Sequence, residues 1–327
     1  MQMVGGKGNV IVLCDLIADL SLRISGFPVV AQDLQEVTYL ELGPGGACNA
    51  AIVVARLGLP VLALGEVGRD EFGRTVVDGL QREGIQISHV VRNPAARTPV
   101  AGVLVDPAGE PAYLGYAGDL RVLSLPDAWR APIRSSVALY ADGWAEHEGV
   151  ANVVLEGFQL ARASGVPIFF DPGPGNPRMP DANAWHKEAA ALADVVLVNA
   201  EEARNLTGLD DGVAAARVIA TNGKTAIVKR GAGGAVLARN DQIETAAAFP
   251  AEVRDATGAG DSVAGAVIYG VLRGLPLTAL GKLANAAGAA KVEKLGTGHS
   301  VPTPDEIRDV LRRNGEDVAS ILPEVPF

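Results

Sequence analysis

Asp255-Ala256-Thr257-Gly258-Ala259-Gly260-Asp261 sets three small residues directly beside a carboxylate. The run that follows, Ser262-Val263-Ala264-Gly265-Ala266-Val267-Ile268, is small and apolar and continues as a predicted helix until Gly274 stops it. Small residues let the main chain approach an anion closely and turn its N–H groups inward. The start of a helix carries about half a positive charge, so it stabilises an anion there and favours the ionised form of Asp261 at neutral pH. A phosphate-sized ring of donors next to a carboxylate suits phosphoryl transfer. Taken alone, the stretch equally fits a glycine turn with Asp261 capping a helix, so the surrounding chain has to decide.

Working outward, short apolar runs at 10–14, 60–64, 137–141, 167–170, 195–198, 225–228 and 235–238 alternate with helical patterns. The helical patterns lie at 49–57, 71–83, 149–164, 200–206, 212–221, 262–273 and 277–294, and a last helix opens at Thr303 with Pro304 as its first residue. This alternation predicts an α/β fold with a mostly parallel central sheet between helices. Such sheets bind ligands beyond the C-terminal ends of their strands. Polar residues collect there: Asp15, Asp19, Asp142, Asp171, Asn199 and Lys229. Two other stretches alternate apolar and polar with no helix between them, 37–42 and a hairpin of 100–106 and 111–116 around a turn at 107–110. They predict a small separate sheet.

Composition narrows the function. A chain of 327 residues with 48% hydrophobic content and a formal charge of −10 can build a large core but offers no basic stripe for nucleic acid. Its two cysteines, Cys14 and Cys48, have neither metal-ligand spacing nor the density of a disulfide scaffold, which points to a reducing compartment. No run approaches the roughly 20 apolar residues of a membrane span, and the first residues lack the apolar core of a signal peptide, so the expectation is a cytoplasmic protein. A Walker loop fails because Val218 stands where Gly223-Lys224-Thr225 would need a glycine. The dinucleotide fingerprint fails at Val236 and at Cys48, which disfavours a dehydrogenase. His89, His147, His186 and His299 are scattered without zinc or triad spacing.

The stretch at 255–261 resembles the C-terminal signature D-T-T-G-A-G-D of the PfkB, or ribokinase-like, carbohydrate kinases, with Ala256 in place of the first threonine. Gly45-Gly46-Ala47-Cys48-Asn49-Ala50-Ala51, followed by Gly58 and Gly68, resembles the N-terminal signature of the same family. Two signatures in the right order are far more specific than either alone. The resemblance implies a three-layer α/β/α sandwich, here 1–30, 47–96 and 119–327, carrying a β-sheet lid at 31–46 and 97–118. In the family the lid covers the sugar and often pairs two subunits, so a homodimer through the lid is expected.

The resemblance also assigns roles. Asp261 is expected to be the base that deprotonates a sugar hydroxyl, and the backbone of Gly258, Ala259 and Gly260 the anion hole for the transferred phosphate of ATP. Asp19, Gly45, Gly46 and Asn49 are expected at the sugar. Asp15 joins them with less support, because relatives place a small residue there. Lys229, Gly231, Gly233 and Gly234 resemble the turn beside the nucleotide, Asn285 lies on the helix that walls adenine, and Thr257 also faces the nucleotide. Asn199 and Glu202 resemble the N-x-x-E element that governs Mg²⁺ through water, though Asn199 also suits a helix cap. Asp255, Thr257, Gly296 and Ser300 resemble a loop that binds K⁺. Two rivals stand beside a sugar kinase. One is a nucleoside kinase of the same family, with Tyr113, Tyr116 or Trp144 stacking on a base. The other is a sugar-binding sensor without catalysis.

Overall fold

The computed structural model describes residues 8–144, 148–173 and 182–324. Its main sheet has eight strands. In spatial order they are Gln242–Ala246, Ala235–Arg239, Thr225–Lys229, Val195–Asn199, Ile168–Asp171, Ala138–Asp142, Val10–Leu13 and Val61–Leu64. The six from Thr225–Lys229 to Val61–Leu64 run parallel, and the other two add antiparallel at the edge.

The parallel strands read as unbroken apolar runs because both their faces are covered. Val10, Val12, Ala138, Tyr140, Phe169, Leu197 and Ile227 point into one core, with helices Ala47–Arg56, Ala259–Leu272 and Leu277–Val292. Ile11, Leu13, Leu139, Ala141, Ile168, Phe170, Val196 and Val228 point into the other, with helices Asp127–Arg134, Glu148–Ala163 and Gly212–Ile219. This is the expected three-layer sandwich. The sequence reading missed Gln242–Ala246, an edge strand whose residues are mostly polar and half-exposed and so show no apolar run. Helices Asp127–Arg134, with Pro132 inside it, and Ala182–Leu192 were also missed. Helix Ala259–Leu272 begins earlier than the expected 262, so Ala259, Gly260 and Asp261 form its first turn.

The small sheet runs Tyr39–Gly46, Leu16–Arg23, Val100–Val105, Pro111–Tyr116. It therefore takes in Leu16–Arg23, which the boundary 1–30 had assigned to the main body. The chain leaves the main-sheet strand Val10–Leu13, turns through Cys14 and Asp15 at φ 63° and 46°, and enters the small sheet at once. Two adjacent non-glycine residues in the left-handed region cost of order 1 kcal/mol each, and they make a sharp corner that hydropathy cannot show. The sheet rests on the loops around the 255–261 stretch. The Ala256 amide donates to Gly109 O (3.0 Å), Arg23 bridges Arg254 O (3.0 Å) and Pro107 O (3.2 Å), and the Tyr39 hydroxyl donates to Leu295 O (3.3 Å). Among the described residues no helix is long and apolar enough to cross a membrane.

Candidate active site

Strand ends bring the polar residues together. Parallel register sets Asp171 opposite Asp142 and Asn199 opposite Lys229, so one rim of the sheet carries all four. Helix Ala259–Leu272 aims its first turn at this rim. It can do so because Gly265 lets it press on helix Ala47–Arg56: a Cβ there would stand 2.7 Å from Val53 Cβ and 2.9 Å from Ala50 O. This close crossing places the two helix starts side by side, and Asn49 Nδ2 donates to Asp261 Oδ2 at 2.8 Å. Asn49 Oδ1 in turn accepts from the Gly298 amide at 2.8 Å.

Gly258 caps the helix at φ 75°, a conformation that favours glycine. Among the described residues, the Gly258 and Gly260 amides donate to no other group. The Ala259 amide is different. It closes a turn on Ala256 O at 3.3 Å, so the expected ring of three amides is reduced to two unengaged ones and a third in a long turn bond. Burial pushes the Asp261 pKa up to about 6, Asn49 opposes this, and Asp171 adds to it. A group with that pKa is mostly ionised at neutral pH and still basic enough to accept a proton.

Lys229 stands beside the same helix start. Its Nζ lies 3.5 Å from where a Gly260 Cβ would be, and it pairs with Asp171 Oδ2 at 2.5 Å. Burial works against its charge, but Asp171 and then Glu202 outweigh it and hold the ammonium pKa above its ordinary value. Lys229 was expected at the nucleotide turn; here its charge faces the start of helix Ala259–Leu272. Gly231–Gly233 form a turn after strand Thr225–Lys229, and Gly234 is required by packing, since a Cβ would meet Ala246 O at 2.1 Å. Asn285 spends its amide group on Ala246 O (3.0 Å) and Ala247 O (2.8 Å), tying helix Leu277–Val292 to the edge strand.

Asp19 is buried, and burial pushes its pKa up to about 7, with Thr297 and Asn49 hydrogen bonds opposing and Asp261 adding. Gly45 and Gly46 make room for the aspartates themselves: added Cβ atoms would fall 2.0 Å from the Asp19 carboxyl and 2.1 Å from Asp15 Oδ2. Asp15 is hydrogen-bonded to Asp142, whose pKa burial raises well above the carboxylate range. Asn199 and Glu202 form a complete capping box, with Asn199 N and Nδ2 donating to Glu202 at 2.7 Å each and Glu202 N to Asn199 Oδ1 at 2.9 Å. Burial, followed by the Asp171 charge, pushes the Glu202 pKa up to about 7.

Asp255 is wholly buried, its carboxylate accepting from the Thr257 amide and the Gly296 amide at 2.8 Å each. Ser300 does not join it and instead reaches Glu41 of the small sheet at 3.4 Å. Lys291, absent from the sequence reading, stands next to Asp255. Its signal was present: it is the one charged residue in 284–292, on the same helical stripe as buried Ala284 and Ala287. Burial pushes its pKa down to about 8, against the pull of Asp255. Of the histidines, His89 pairs with Ser88 and His299 with Glu83, His186 pairs with Gly143 O next to Asp142, and His147 lies outside the described residues. Tyr113, Tyr116 and Trp144 are all substantially exposed.

The model of the pfkB family carbohydrate kinases matches residues 7–304. The chain is 26% identical to fructokinase-1 of Zea mays, covering 95% of this chain and 100% of that protein. It is 26% identical to ribokinase of Haemophilus influenzae, covering 92% and 97%. The structure of Arabidopsis thaliana ribokinase complexed with ribose and ATP superposes with a TM-score of 0.76 at 20% identity, covering 93% of this chain and 99% of that one. A family match over nearly the whole chain, on a fold whose strand ends and helix start meet at one rim, identifies the protein: it belongs to the pfkB family of carbohydrate kinases.

Proposed function

We propose that this sugar kinase transfers the γ-phosphate of ATP to a sugar hydroxyl with Asp261 as the base. The observation that carries the reading is the convergence on one helix start of an Asp261 carboxylate tied to Asn49, unengaged Gly258 and Gly260 amides, and the Lys229 ammonium. The hydroxyl proton passes to Asp261 as the sugar oxygen bonds to phosphorus and the bond to the leaving ADP oxygen breaks. The two amides and Lys229 balance the charge on the moving phosphoryl group, and because they are already oriented they need no rearrangement. Asp19 and Asn49 hold sugar hydroxyls, with Gly45 and Gly46 leaving room for the Asp19 and Asp15 carboxyls. Mg²⁺, when bound with ATP, neutralises phosphate charge. Glu202, whose pKa burial and then the Asp171 charge raise against the pull of Lys229, would hold it with Asp171 through water.

The small sheet acts in this reading as the lid, its turn at Gly109 already seated on the Ala256 amide. Leu40, Leu114 and Tyr116 leave apolar surface on it, which suits a second copy of the chain. ADP release measured with ribose, fructose, 2-keto-3-deoxygluconate, adenosine and cytidine tests the function, with melting-temperature shifts read in parallel. One sugar is expected to drive ADP release and raise the melting temperature. Turnover with a nucleoside alone would shift the reading to a nucleoside kinase, and sugar binding without ADP release would make the protein a sensor.

A further inference from the structure

Lys291 is fully buried, yet it carries a charge that must be satisfied. Its Nζ donates to Asp255 O at 3.1 Å and to Lys294 O at 3.3 Å, and lies 4.0 Å from Asp255 Oδ2. Two main-chain carbonyls and a carboxylate form the kind of donor set that would hold a bare monovalent cation. The side chain passes directly under the anion hole, with Cε 3.6 Å from the position of a Gly258 Cβ. Of the groups expected to bind K⁺, Thr257 Oγ1 is buried without a hydrogen-bond partner among the described residues, whereas the Asp255 carboxylate and the Ser300 hydroxyl are engaged elsewhere. Both Asp255 oxygens accept main-chain amides, and Ser300 is turned to Glu41. The nearby Lys294 is paired with Glu306. A metal cation added here would face an ammonium group in a low-dielectric interior, where like charges repel strongly. The residues do not fit potassium.

We propose that the Lys291 ammonium stands in for a monovalent cation in this kinase, holding the 255–258 and 294–296 loops in register under the anion hole so that turnover needs no potassium. Lys291 is a positioning residue: it acts through the Asp255 and Lys294 carbonyls and touches neither sugar nor phosphate. The inference rests on the kinase reading above.

Purified protein is compared in potassium, sodium and tetramethylammonium chloride at equal ionic strength, by ADP release and by melting temperature. The expected result is rates within about twofold and superimposable melting curves, because a site that binds no K⁺ gains nothing by mass action. In Lys291→Ala the vacated space is open to a small cation. Its kcat is expected to fall about tenfold or more in tetramethylammonium and to recover in potassium or methylammonium, with a matching rise in melting temperature. Lys291→Met, which keeps the bulk but not the charge, is expected to stay slow in every salt. Wild-type protein that is activated or stabilised by potassium overturns the proposal, as does Lys291→Met with unchanged kcat. Should no sugar drive ADP release in any salt, the kinase reading fails, while the melting comparison still judges the lysine.

Discussion

Lys229 and Lys291 bring two ammonium groups to the same helix start, and they are held in opposite ways. Lys229 ends a strand, keeps a little exposure, and pairs with a carboxylate that itself lines the rim. Lys291 lies inside a helix with no exposure and is bound chiefly by main-chain carbonyls. Their environments push them apart: Asp171 and Glu202 overcome burial at Lys229, whereas burial wins at Lys291 and pulls it down to about 8. In the proposed reading one charge meets a ligand and the other holds the backbone that meets it. The lesson is that burial beside carboxylates can strengthen an ammonium, whereas burial among main-chain carbonyls weakens it.

Mutation should separate the two roles. Lys229→Met is expected to lower kcat by about 10²–10³, the usual cost of losing one preorganised donor to a developing charge. Steady-state kinetics that match the wild type would remove Lys229 from the phosphate. Lys291→Met should show its larger effect in stability, a loss of about 3 kcal/mol in denaturant melts, because Asp255 is left as a buried charge without its counterion. If both variants lost activity and stability in the same proportion, the distinction between them would fail.

Asp19 sharpens the contrast, because no lysine serves it and burial alone dominates its shift to about 7. Its folded pKa lies above the unfolded value, so between about pH 4 and pH 7 the native state binds more protons than the unfolded chain and stability falls as pH rises. Asp19→Asn should therefore melt higher than wild type above pH 7, by an amount on the order of 1–3 kcal/mol, while losing sugar affinity. A lower melting temperature for the variant at that pH would show that Asp19 is stabilised by something else. The smallest effect is the pH profile. Asp261, at about 6, should give kcat/KM an acid limb that falls tenfold per pH unit below about pH 6. A profile flat down to pH 5 would mean that no carboxylate near that value is needed in the free enzyme.

Much of the fold was legible because its strands are covered on both faces: 10–14, 137–141 and 195–198 are unbroken apolar runs, and several helices open at side-chain caps, Asp70, Asn199, Asp211 and Thr303. Gln242–Ala246 was not, since an edge strand shows one half-exposed face to water. The corner at Cys14 and Asp15 was also hidden, because positive φ at those residues leaves no trace in hydropathy. Asp261 and Asn49 stood out as polar residues among glycines and alanines, and Asp19 by its resemblance to the family pattern; the structure brings these three together. Which groups pair with which was not legible. Asn285 reads equally as a ligand contact or a tie to Ala246 until both are placed in space, and Gly45 reads as room for sugar where its immediate neighbour is Asp19. Lys291 went unread because its partners are backbone carbonyls, and those have no letter of their own.

The base at Asp261 is the claim on which the rest depends, and Asp261→Asn tests it most directly. The amide keeps the size of the side chain but cannot take a proton. Single-turnover phosphoryl transfer with the best sugar should slow by about 10²–10⁴ while sugar affinity stays close to wild type and, since burial raises the Asp261 pKa as it does that of Asp19, the melting temperature at neutral pH does not fall. Transfer at the wild-type rate in the folded variant would contradict the account.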